Sequence, residues 1–77
     1  MTHLRVACVQ MRSGVEIAPN IAAASDLIRD AAGQGAQLVA TPEMTNLLDI
    51  RPGKARPKIV PEADDQTLAA MRSLAAE

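Results

Sequence analysis

Glu43, Cys8 and Gln10 are the residues of this chain whose type and setting could do chemistry. In Leu38-Val39-Ala40-Thr41-Pro42-Glu43-Met44, a run of small and branched apolar residues stops at a proline, and a carboxylate follows at once. Proline has no N–H to continue a strand ladder, so Pro42 ends the strand and sets where the acid emerges. A carboxylate at a partly buried strand end can serve as a general base when a nucleophile lies within hydrogen-bond reach. The plainer reading is a solvated loop glutamate, which is what most such residues are. Cys8 is the single thiol. It falls mid-strand, where a free cysteine is expected to be a small buried hydrophobe. A reactive thiolate needs an electropositive, reachable setting, and His3, near the chain start, is poorly placed to act as its base. Gln10 stands where that first strand ends. It is expected either to close the strand or to line a pocket beside Glu43.

Arg51, Lys54, Arg56 and Lys58 form a basic stretch broken by prolines. Such a stretch is expected to be a solvated loop, with a phosphate or nucleic-acid contact as the alternative. Gly33-Gln34-Gly35 precedes a strand instead of opening a helix after one, so it does not cradle phosphate.

Composition narrows the function classes. The net charge of −1 provides no global field toward nucleic acid or an anionic membrane. The absence of Phe, Tyr and Trp removes base-stacking surfaces. The longest apolar runs fall far short of a membrane span. Met1-Thr2-His3-Leu4-Arg5 does not read as a signal peptide, because no long apolar segment follows it. One cysteine cannot form an internal disulfide, and one cysteine with one histidine cannot make a zinc site. The expectation is a reduced, cytoplasmic chain with no metal and no nucleic-acid or membrane partner. With 77 residues, no aromatics and much alanine, the apolar material is poor for a core, which argues against folding alone.

The elements that would position Glu43 follow from periodicity. Leu4–Met11 reads as a first strand, apolar on both faces from Val6 to Val9, which suits a strand covered on both sides. Met11–Ala18 reads as a loop, with Ser13-Gly14 as its turn. Pro19 or Asn20 is expected to open a helix running to about Gly33. Its apolar stripe is Ile17, Ile21, Ala24, Ile28 and Ala31, with Leu27 beside it and Asp26, Arg29 and Asp30 off it. The glycines at 33 and 35 stop the helix by accepting a left-handed cap. Leu38–Thr41 is then a second strand.

Strand, helix, strand over so short a length is a βαβ unit with parallel strands and a right-handed crossover. Residues just past both strands share one rim of the sheet, where open α/β sheets bind ligands. Gln10 and Glu43 are both expected there. Thr45–Ala63 is a long connection with three prolines. A second helix begins at Asp64 or Asp65, either of which can cap it, with Leu68, Met71 and Leu74 or Ala75 as its apolar face. No glycine, asparagine or proline stops this helix before Glu77, whose charge opposes the helix dipole. The chain, 1–77, is therefore expected to be the N-terminal part of one larger domain.

In order, "RVACVQM", a helix opening near "PN", and "GAQLVATPEM" resemble the N-terminus of the nitrilase superfamily of carbon–nitrogen hydrolases. The resemblance covers roughly Leu4–Leu48 and rests mainly on the spacing Gly35-Ala36-x-Leu38-Val39-x-x-Pro42-Glu43. It implies an α/β fold in which this β-α-β unit and second helix form the N-terminal part of an α-β-β-α sandwich, commonly dimerised. It also implies Glu-Lys-Cys chemistry on a small amide, nitrile or carbamoyl substrate, with no metal or organic cofactor. Of the three catalytic groups only Glu43 has a match here. By resemblance it would take the thiol proton and later activate the hydrolytic water. Lys54 and Lys58 stand too close to Glu43 in sequence to be the family lysine, and Cys8 is on the wrong strand to be its cysteine. "TPEMTNLL" looks most like the Nit-type amidase branch, which acts on small carboxylate-bearing amides, although Met44–Leu48 stands where relatives often carry an aromatic.

The leading expectation is thus a carbon–nitrogen hydrolase in which this chain supplies the general base and is inactive by itself. The alternative is a small non-catalytic α/β binding module that uses the basic loop 51–58.

Overall fold

The structure, a computed structural model, describes residues 3–77; Met1 and Thr2, which open the segment read above as no signal peptide, lie outside the described residues. Along the chain come β1 (Val6–Cys8), α1 (Ile17–Gly33), β2 (Leu38–Ala40), two single 3-10 turns (Arg56–Lys58 and Glu62–Asp64) and α2 (Gln66–Ala76). β1 and β2 are parallel neighbours, with Val6 opposite Leu38, Ala7 opposite Val39 and Cys8 opposite Ala40. The Val9 N–H donates to the Ala40 carbonyl at 3.0 Å and carries the ladder one residue further. At the other end the Gln37 and Leu38 N–H groups both donate to the Arg5 carbonyl.

Both strands are shorter than their apolar runs. A strand lasts only as long as its partner can pair with it, and β2 stops just before Pro42, which has no N–H to offer. The faces also differ from the expectation of a strand covered on both sides. Ala7, Val9 and Val39 are half-buried, whereas Val6, Cys8, Leu38 and Ala40 are exposed. Leu4, Val6 and Leu38 leave 64%, 52% and 53% of their surface open. α1 packs against β2, and no other element among the described residues covers the opposite face. Cys8 is accordingly exposed, not the buried hydrophobe expected of it.

α1 begins at Ile17, ahead of Pro19 and Asn20, with Glu16 flanking it and making no side-chain cap. Pro19 is accommodated because N–H groups in the first turn have no intrahelical acceptor, so nothing is lost there. The apolar stripe is as read from the periodicity: Ala24 is fully buried, Ile17, Ile21, Leu27, Ile28 and Ala31 are half-buried, and Asp26, Arg29 and Asp30 face water. The helix ends in a Schellman motif. The Gly35 N–H donates to the Ala32 carbonyl and the Ala36 N–H to the Ala31 carbonyl, at 3.0 and 3.1 Å. Gly35 is the left-handed residue of this motif, with φ +97°.

α2 is capped by Asp65, whose Oδ1 accepts from the N–H groups of Thr67 and Leu68 at 2.9 and 3.3 Å. Leu68, Met71 and Leu74 are half-buried while Ala75 is exposed, and α2 lies against α1. Glu77 is not left to oppose the helix dipole alone. Arg29 of α1 donates to both of its oxygens, at 3.2 and 2.9 Å, and this holds its carboxyl below the usual range. Among the described residues Ala24 is the one apolar side chain that is buried, so there is little core.

Candidate functional site

Parallel pairing sends both strands out at the same end of the sheet. The connections that follow, Val9–Glu16 after β1 and Thr41–Leu48 after β2, therefore meet there. Glu43 lies three residues past the end of β2, in a turn, and it is exposed. Around it the chain is tied down locally: the Thr45 hydroxyl bonds with the Thr41 hydroxyl at 2.8 Å and donates to the Pro42 carbonyl.

The next residues are held from across the rim. Ser13 Oγ donates to the Thr45 carbonyl at 2.8 Å. Asn20 Nδ2 donates to the carbonyls of Gly14 and Asn46, both at 2.8 Å, and its Oδ1 accepts from the Gly14 N–H at 2.9 Å. The Leu48 N–H donates to the Gly14 carbonyl at 3.1 Å. The loop carrying Glu43 is thus stitched to the loop leaving β1.

Gln10 and Glu43 share this end of the sheet but not a cavity. Gln10 lines a recess of about 420 Å³ with Arg5, Cys8, Leu27 and Asp30. A second cavity of about 520 Å³ takes in Ile17, Met44, Leu48, Ile50, Lys58 and Val60, and it includes Met44 but not Glu43. Its apolar walls are open to water: Ile50 leaves 90% of its surface exposed.

Asp49 lies in the wall of this second cavity, its side chain fully shielded from solvent and paired with two cations. Arg51 grips it with Nε and Nη2, and Lys58 Nζ joins at 3.1 Å while also donating to the Val15 carbonyl. The Arg51 hydrogen bonds hold the Asp49 carboxyl far below the usual range. Partial desolvation opposes that shift and Lys58 reinforces it. The basic stretch is therefore divided. Arg51 and Lys58 serve an internal ion cluster, and Lys54 and Arg56 are exposed. Half of the charge that a binding module would offer from loop 51–58 is already engaged.

His3 is exposed and stands five residues before Cys8, outside β1. Among the described residues no group of three or more His, Cys, Asp or Glu side chains is gathered as a metal would require. Among the described residues no helix is long and apolar enough to cross a membrane.

Asn20, Ser13 and Asp49 are site-forming residues that sequence reasoning did not single out. A signal for Asn20 was present: it stands three residues past Ile17 and four before Ala24, so it is a polar residue on the buried stripe of α1. Such a residue must find hydrogen-bond partners or carry a desolvation penalty. Asp49 precedes Arg51 and Pro52, and its Oδ1 accepts from the Arg51 N–H at 3.2 Å, the reach of a local Asx turn. Ser13 gave no comparable signal.

No curated protein and no solved structure matches the chain. The family model described as carbon-nitrogen hydrolase matches residues 5–77, nearly the whole length, including both strands, both helices and Glu43. The chain thus belongs to the carbon–nitrogen hydrolase family, the nitrilase superfamily.

Proposed function

We propose that the protein carrying this chain hydrolyses a non-peptide carbon–nitrogen bond, with Glu43 as its general base. The observation that carries this reading is the placement of Glu43: it follows the second of two paired parallel strands, behind Pro42, in a chain of this family. A cysteine thiol would give its proton to Glu43 and attack the amide carbon. The proton then passes to the leaving nitrogen, and ammonia or an amine departs from a thioester. Glu43 next takes a proton from water, which attacks the thioester and releases acid and thiol. A lysine would steady the oxyanion in both halves. The cysteine and lysine would come from polypeptide other than these residues, so the chain alone is inactive. The same reading places the open sheet face inside an α-β-β-α sandwich, in a cytoplasmic, dimeric amidase of the Nit type acting on small carboxylate-bearing amides without a cofactor.

The test is Glu43→Gln in the whole protein, assayed by ammonia release from a panel of small aliphatic amides and nitriles. Loss of turnover by about 10²–10⁴-fold, with no thioester adduct by mass, is the expected result. Turnover equal to wild type would refute the role of Glu43.

A further inference from the structure

Asn20 is 95% removed from solvent, yet it sits in the first turns of a helix whose neighbouring residues mostly face water. Its amide makes three hydrogen bonds of 2.8–2.9 Å, none of them within its own helix. Two close on Gly14, one as donor and one as acceptor, and the third reaches the Asn46 carbonyl, 26 residues away. Asn46 stands three residues beyond Glu43, and the two loops joined through Asn20 are those leaving β1 and β2. We propose that Asn20 is a positioning residue, a clasp from α1 that sets the loop bearing Glu43 against the loop leaving β1; this rests on the reading of Glu43 as general base.

The chemistry of the side chain supports the assignment. Only an amide offers both a donor pair and an acceptor at this size, so aspartate, leucine or serine cannot make the same three bonds. Neither Gly14 nor Asn46 contributes its side chain to the clasp, so the specificity lies in Asn20 alone. Ser13 adds one parallel bond to the Thr45 carbonyl. Between the end of β2 and the first of these anchors, Thr45, the chain has four residues, Thr41–Met44, in which to place a carboxylate. A general base must meet its proton within hydrogen-bond reach, and a displacement of about 1 Å can cost roughly a hundredfold in rate.

The experiment compares Asn20→Ala and Asn20→Asp in the whole protein by amide hydrogen exchange and by steady-state kinetics on the best amide of the panel above. For Asn20→Ala the expected result is faster exchange at Gly14 and Leu48 with Ala69 in α2 unchanged. It is accompanied by a fall in kcat of about 10–100-fold, KM within about threefold of wild type, and a displaced acid limb of the pH–rate profile. Asn20→Asp keeps the shape and the acceptor for the Gly14 N–H but turns an oxygen toward two carbonyls. It is expected to protect Gly14 and still release Leu48, with a similar loss of kcat, and it decides the matter if the alanine variant fails to fold. Exchange at Leu48 equal to wild type in both variants overturns the proposal. So does faster exchange with kcat and the pH profile unaltered, because that would make the clasp merely structural. Normal turnover by Glu43→Gln would remove the general-base reading by itself, and the clasp would still be judged by exchange at Gly14 and Leu48.

Discussion

Arg51 holds Asp49 through two side-by-side hydrogen bonds, Nε to Oδ1 at 2.8 Å and Nη2 to Oδ2 at 2.7 Å. Fork-to-fork contact of this kind combines two charge-assisted hydrogen bonds, each stronger than a neutral one, with a fixed geometry. Here it closes a tight turn over two residues, and Lys58 extends it to the loop leaving β1 through the Val15 carbonyl.

The ion cluster makes stability depend on pH in a definite direction. The Asp49 carboxyl has a lower proton affinity folded than unfolded, where its value is about 3.8. As pH falls through that value the unfolded chain takes up the proton first, so unfolding is favoured. The stabilisation from Asp49 is whole above about pH 5 and is lost progressively below pH 4. Urea midpoints of wild type and Asp49→Asn, measured in the whole protein from pH 7 to pH 2.5, should differ most at neutral pH and converge in acid. Parallel curves would contradict the prediction.

Gly35 sits at φ +97°, in the left-handed region that completes the Schellman motif. A Cβ there would also come within 2.7 Å of Arg5 Nη1, the mobile end of a side chain that donates to the Gln34 carbonyl. Arg5 can move aside, but the backbone cannot change sign without undoing the turn into β2. Gly35→Ala is expected to destabilise by about 1–2 kcal/mol, whereas Gly33→Ala, inside the helix with open space around it, should be neutral or stabilising by up to about 1 kcal/mol. Thermal or urea unfolding of the two variants checks this contrast, and equal effects would contradict it.

Asp65 accepts from two N–H groups that α2 cannot satisfy internally. Asp65→Ala should cost about 1 kcal/mol, and Asp65→Ser, which can still accept, clearly less. Asp64, one residue earlier and within a 3-10 turn, should tolerate alanine with little change. If Asp64→Ala were the more damaging of the two in urea unfolding, the cap would have been misassigned.

The local elements were legible because their causes are local. A 3.6-residue apolar stripe marked α1, glycines marked its end, a proline marked the end of β2, and an aspartate marked the start of α2. The parallel neighbours followed from the short crossover, and with them the arrival of Gln10 and Glu43 at one end of the sheet. What escaped sequence reasoning was set by residues far apart in the chain. Asn20 looked like a helix opener, and only the return of Asn46 and Gly14 to its side shows it to be a buried clasp. Lys58 looked like part of a free basic patch until the fold brought it to the Val15 carbonyl, 43 residues away, and to Asp49, whereas the Asp49–Arg51 pair is local. Cys8 looked buried because its strand is apolar on both faces, but burial depends on a second layer, and periodicity records only that a face is apolar. The residues themselves determined which segments are strand or helix and where α1 ends, through backbone dihedral preference and apolar spacing, whereas the extent of β1, three residues out of the segment Leu4–Met11, was set by its pairing with β2. Tertiary structure decided which polar groups answer one another and which faces stay open, because those outcomes depend on long-range contacts that no local pattern encodes.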